Sequence, residues 1–229
     1  MIGSSASLPS RPLAQAPKAL ASTLGLPLAG VLLASVPVFV QAPLVRLAPM
    51  LAAALTLTLV AAAVVLERHG RGLWRDIGST LAGFSGSWLA GSLFWGWCRL
   101  HPLWHLPIEA FALPLALAGL NTRWRLGAAF YLASLLGTAA TDTAIAASGL
   151  MPLWPQVLST PMPAAASLLR LAGELVLTPV NLTLVLAMAA LLLQLSALLW
   201  GRGPTGRLAA ATRSEEHTSE LQSPCNLVC

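Results

Sequence analysis

The stretch Leu44-Val-Arg-Leu-Ala-Pro-Met-Leu-Ala-Ala-Ala-Leu-Thr-Leu-Thr-Leu-Val-Ala-Ala-Ala-Val-Val-Leu66, followed at once by Glu67-Arg-His-Gly-Arg-Gly-Leu-Trp-Arg-Asp76, decides the class of the fold. Residues 47–66 carry no charge. At about 1.5 Å per residue such a run spans a hydrocarbon core of about 30 Å. The dense charge that follows reads as the loop beyond the membrane. Runs of this kind recur throughout the 229 residues, which are 56% hydrophobic and only 9% charged, whereas a soluble domain has about 25% charged residues. The expected fold class is all-α: a polytopic membrane helical bundle. A transmembrane β-barrel is excluded, because its strands would alternate polar and apolar residues.

The last segment has a different character. Arg213-Ser-Glu-Glu-His-Thr-Ser-Glu-Leu-Gln-Ser-Pro-Cys-Asn-Leu-Val-Cys229 holds three of the eight acids and two of the three cysteines. It matches the translation of a common sequencing-library adapter, so 213–229 is read as an artefact and set aside from fold reasoning. Residues 1–212 then carry twelve basic and five acidic side chains. Cys98 is their one cysteine, which leaves no disulfide framework and no C-x-x-C metal site. A lone cysteine ending an apolar run reads as a small buried hydrophobe.

Residues 1–21, rich in Ser, Pro and Ala, are expected as a disordered N-terminal tail. The run Thr23 to Val40 is longer than a signal-peptide core and lacks a following A-x-A site, so a retained span is expected. A transmembrane domain over 22–200 follows, with spans near 22–41, 44–66, 77–98, 106–121, 127–148 and 180–200. The first is expected to end at Gln41-Ala-Pro43, and Pro179 divides the long final apolar region. Residues 164–178 read as an interfacial or re-entrant helix, with Arg170 and Glu174 spaced to pair. Residues 201–212 are expected as a polar C-terminal tail.

Six spans group the loop charges. The two termini, the loop after span two and the loop after span four share nine basic residues, against Arg46, Arg99 and Arg170 opposite. This positive-inside bias places both termini in the cytoplasm. The net positive charge therefore reflects topology. Nucleic-acid binding is excluded, since no basic face with interleaved aromatics is present. Trp74, Trp95, Trp97, Trp104, Trp124, Trp154 and Trp200 fall near span ends, as interfacial anchors do. Trp88 lies mid-span and is expected to pack against neighbouring helices. Ser79, Gly83, Ser87 and Gly91, with Ala133, Gly137 and Thr141, form small-residue ladders that let helix backbones approach closely.

Ionisable groups inside spans are costly and therefore functional candidates. His101, His105 and Glu109 are spaced i, i+4, i+8, but Pro102 and Pro107 oppose a continuous helix through them. Glu109 falls at the start of the fourth span, where the helix dipole favours a carboxylate. Asp142 lies in the fifth span among Thr138, Thr141 and Thr143, readable as a tie between helices or as a catalytic acid. Glu109, His105 and Asp142 are the candidate catalytic residues. Trp95, Trp97 and Arg99 are candidates for lining a bound hydrophobic molecule, whose identity the residues leave unknown. No metal site is expected. Asn181-Leu-Thr183 matches a glycosylation sequon but sits at a membrane boundary. No phosphate-binding loop, nucleophile elbow or dinucleotide motif is present.

With Phe39-Val-Gln-Ala-Pro-Leu-Val-Arg46 and Leu136-Gly-Thr-Ala-Ala-Thr-Asp142, the stretch Trp88-Leu-Ala-Gly-Ser-Leu-Phe-Trp-Gly-Trp-Cys-Arg99 and then His105-Leu-Pro-Ile-Glu-Ala-Phe-Ala-Leu-Pro114 resembles a family. It is the cyanobacterial membrane proteins catalogued as domain of unknown function 3120, over about residues 30–200. The resemblance implies a photosynthetic bacterial source and a plasma or thylakoid membrane location, and no activity. A shorter stretch is similar to small membrane-embedded lycopene cyclases, which carry a tryptophan-containing helix end before a Leu-Pro-x-Glu-Glu motif. Trp95-Gly-Trp97 precedes Leu106-Pro-Ile-Glu109, and Ala110 stands where the second acid would be. That resemblance implies Glu109 as a polyene-protonating acid.

Three classes of function stay open on these residues. The first is a membrane protein that binds a lipid, pigment or quinone, or assists assembly of a membrane complex through a membrane-protein partner. The second is an isoprenoid or carotenoid enzyme using Glu109. The third is a small-molecule transporter, for which internal repeats would be expected.

Overall fold

The computed structural model describes residues 16–212, and no strand occurs among them. Helix α1 (Ala16–Val36) passes through a π turn, Pro37–Gln41, into α2 (Ala42–Leu47). Next come α3 (Pro49–His69), α4 (Leu73–Leu93) with a π turn at Phe94–Cys98, and a 3-10 turn at Pro102–Trp104. The chain continues through α5 (His105–Glu109), α6 (Leu113–Gly119), α7 (Arg125–Ala147) and α8 (Leu153–Ser159). It finishes with α9 (Met162–Val176), α10 (Pro179–Trp200) and α11 (203–212). The fold is an all-α membrane helical bundle. The adapter-like segment and residues 1–15 of the expected tail lie outside the described residues, while α1 already begins at Ala16.

Among the described residues, three helical segments are long and apolar enough to cross a membrane: Leu24–Leu47, Pro49–His69 and Pro179–Trp200. The first boundary moves from Gln41-Ala-Pro43 to Ala48. The π turn lies where Pro43 would otherwise collide with a preceding carbonyl, so the helix survives that proline. Ala48, which precedes Pro49, is instead pushed out of the helical region, at φ −150° and ψ 70°.

Helices α4 and α7, expected as spans three and five, are of comparable length, 21 and 23 residues, but less apolar. Their Ser, Thr and Gly residues face each other at the centre of the bundle. A Cβ built on Gly83 would overlap the carbonyl of Gly127, and one on Gly127 would overlap the carbonyl of Ser79. The Gly127 N–H donates to the Ser79 hydroxyl at 3.3 Å, and the Ser87 hydroxyl lies 3.4 Å from that of Ser134. The ladder on α4 is thus an interior face. Phe84, Trp88, Phe130, Leu26 and Leu208 fill the remaining core.

The fourth expected span is not one helix. α5 ends at Glu109 and α6 begins at Leu113, because Pro114 offers no N–H to continue the ladder. The expected polar tail is helical over 203–212, with Leu208 and Ala210 buried; Leu208 packs against Gly30 of α1. Among the described residues, Arg170 and Glu174 form no ion pair within 4 Å.

Polar side chains tie the helices together. The buried Gln41 amide donates to the Trp88 carbonyl and to the Ser92 hydroxyl, the latter at 2.8 Å, and the Trp88 indole donates to the Ala52 carbonyl at 2.8 Å. Side-chain bonds between membrane helices contribute about 0.6–2 kcal/mol each. Gln41→Leu is therefore expected to lower stability by about 1–2 kcal/mol in chemical unfolding in detergent.

Neighbouring contacts also fix which loops share an end of the bundle. Glu67, 3% exposed in the last turn of α3, sits 3.5 Å from Arg75 and 3.7 Å from Arg123. The loops after α3 and after α6 are thereby drawn together. At the opposite end the Trp154 indole donates to the Arg99 carbonyl at 2.9 Å, and Asn181 donates to the Ser148 carbonyl at 3.2 Å.

Candidate functional site

The ionisable residues meet at that second end. The π turn Phe94–Cys98 closes α4, and the 3-10 turn at Pro102 swings the chain back so that His105 opens α5. His105 and Asp142, at 4% and 8% exposure, face each other with Nδ1 3.0 Å from Oδ1. A carboxylate on Nδ1 fixes the orientation and tautomer of an imidazole, making Nε2 the atom that meets other groups.

Three aromatic rings enclose this imidazole. Phe94 lies 4.2 Å away at 31°, and Trp154 and Trp95 lie at 5.9 and 6.0 Å. The two indoles stack on each other at 5.5 Å and 17°. Rings so placed exclude water and present a π face to positive charge.

Glu109, 7% exposed, lies one turn further along α5 on the same face as His105. Just beyond it the helix breaks, and Tyr131 of α7 closes the break. Its hydroxyl donates to the Glu109 carbonyl and accepts from the Ala112 N–H at 3.1 Å. In a membrane interior, backbone groups freed by a break need partners of this kind. Tyr131→Phe removes both bonds and is expected to cost about 1–3 kcal/mol. Faster amide exchange at Ala112 than at neighbouring α6 amides would check it.

His105, Asp142, Glu109 and Trp95 are thus gathered at one end. The side chains of Trp97 and Arg99 are exposed, and Arg99 contributes its backbone carbonyl. His101 is exposed as well: the 3-10 turn after it breaks the i, i+4 alignment with His105. Among the described residues no three His, Cys, Asp or Glu side chains cluster to hold a metal. Phe94, Tyr131 and Trp154 were not expected at the site. Tyr131, the chain's single tyrosine, sits in an otherwise apolar run and was the available signal. Trp154 gave none, because its approach depends on the loop between α7 and α8.

The fold and this site define a class: an all-α helical membrane bundle with an imidazole–carboxylate pair buried at one end. The chain belongs to the family described as Protein of unknown function (DUF3120), whose model matches residues 30–217. The match includes every site residue and reaches past Thr212 into the adapter-like segment. No curated protein and no solved structure matches the chain.

Proposed function

We propose that the chain is a six-span protein with both termini in the cytoplasm, and that its buried end site binds a hydrophobic small molecule through a polar group. The observation that carries this reading is the His105–Asp142 pair, 3.0 Å apart inside a box of Phe94, Trp95 and Trp154. The oriented imidazole and the Glu109 carboxyl nearby bring polar groups to one end of the bundle, and the indoles offer flat apolar surface beside them. A lipid, pigment or quinone has this combination of apolar body and polar group. Trp97 and Arg99, exposed at the same end, suit the entrance. The source is read as a photosynthetic bacterium, with a plasma or thylakoid membrane location.

The test is organic extraction and mass spectrometry of the protein purified with its native lipid. Recovery of one hydrophobic compound, lost in His105→Ala, supports ligand binding. Recovery of a stoichiometric protein partner and no such compound would replace this reading with a role in assembly. The enzyme reading, with Glu109 as general acid, is favoured only if the recovered molecule is a polyene whose consumption stops in Glu109→Gln.

A further inference from the structure

A second feature lies at the other end of the bundle and is independent of the His105 site. A cleft of about 610 Å³ opens between α1, α10 and α11, within the range of about 300–1,000 Å³ typical of ligand sites. Leu28 and Val31 wall one side, Leu193, Ser196 and Trp200 the other, and Ala210 the floor. Its surface is almost wholly apolar, with one polar side chain conspicuous.

Ser196 is 9% exposed and its hydroxyl has no hydrogen-bond partner among the described residues. Other hydroxyls in these helices turn back onto the carbonyl four residues earlier, as those of Ser35 on α1, Thr183 on α10 and Thr212 on α11 do. Ser196 does not, which leaves a buried hydroxyl on the wall of the cleft, and such a group is costly unless something fills the need. It lies about 6 Å along the helix from Trp200, which marks the interface. That depth suits the ester carbonyl of a membrane lipid, just below its headgroup.

The charge on the segments next to the cleft indicates which lipid. Arg202 follows Trp200, and Arg207 stands one turn before Ala210 and Ala211 on α11. The Arg207 Nε is buried without a partner among the described residues, although a guanidinium readily engages phosphate oxygens. No acidic residue occurs on α1, α10 or α11 to neutralise either arginine.

We propose that this cleft holds one anionic phospholipid. Its acyl chain lies between α1 and α10, its ester carbonyl accepts from the Ser196 hydroxyl, and its phosphate meets Arg207. The full chain, in nanodiscs of phosphatidylcholine with phosphatidylglycerol added, is released into native mass spectrometry and the retained lipid counted. One phosphatidylglycerol per chain is expected, in preference to phosphatidylcholine. Arg207→Gln lowers that retention about tenfold and Ser196→Ala about threefold, while Ala197→Phe fills the cleft and abolishes it. Equal retention of the two lipids, no retained lipid, a dimer mass in place of a lipid, or unchanged retention in Arg207→Gln would each overturn the proposal. Helix content and melting are measured on every variant. Should Ala197→Phe misfold, Arg207→Gln, one turn before Ala210 and Ala211 on α11, decides the matter.

Discussion

Gly83→Leu is expected to destroy the packing of α4 on α7, lowering stability by about 4 kcal/mol or more. Even a Cβ at this position would overlap the backbone of Gly127, so the two helices must separate to admit a side chain. Separation breaks the Gly127–Ser79 hydrogen bond, moves Ser87 away from Ser134 and opens the contact of Phe84 with Phe130. Backbone approach of this kind replaces the hydrophobic driving force that membrane helices lack. Gly173 on α9 is the control, because a Cβ there meets nothing within 4 Å. Gly173→Ala should be neutral or raise stability by up to about 1 kcal/mol. Chemical unfolding in detergent, followed by tryptophan fluorescence, reads both. Equal stability of Gly83→Leu and the parent chain would contradict a close α4–α7 crossing.

The second large effect concerns His105 and Asp142. Removing one partner of a buried pair takes that interaction from a polar group already withdrawn from water, at a cost of about 3–5 kcal/mol. His105→Leu and Asp142→Leu should therefore each be severe, and the double variant should cost less than the two added together. A coupling of about 1–3 kcal/mol is expected from the double-mutant cycle. Asp142→Asn keeps an oxygen that accepts from Nδ1–H and should be much milder than Asp142→Leu. If the single effects add with no coupling, the two side chains do not act as a pair.

Hydropathy made α3 and α10 plain, since both are exposed to lipid along most of their length and must be apolar all round. The same measure understated α4 and α7, whose polar and small residues face one another. Their ladders of Ser79, Gly83, Ser87 and Gly91 and of Ala133, Gly137 and Thr141 carried the information that mean hydropathy loses. The break between α5 and α6 was hidden because the apolar run 106–121 is continuous in composition. Only Pro114 marked it, and the bonds that permit it come from Tyr131 on another helix. Likewise Pro43 misled: a proline stops a helix unless a π turn absorbs it, and neither outcome is written in the local residues.

At the site, Glu109, His105 and Asp142 were legible because charge inside a span demands explanation. That His105 would meet Asp142 depended on the packing of α5 against α7 and could not be read from spacing. The aromatic box was still less visible. Trp95 and Trp154 have the positions of interfacial anchors, as Trp74, Trp97 and Trp104 do, and only the turns after α4 and α7 bring them onto the imidazole.

The arrangement rests on the bundle crossing the membrane with the loops after α3 and α6 on one side and the loop after α4 on the other. Single cysteines answer this directly, in a chain with Cys98, Cys225 and Cys229 replaced by alanine. Arg71→Cys, Thr122→Cys and His101→Cys all lie at exposed positions. A membrane-impermeant maleimide applied to sealed, right-side-out cells should modify the cysteine at 101 and spare those at 71 and 122 until the membrane is opened. Labelling of 71 and 101 from the same side would contradict the account.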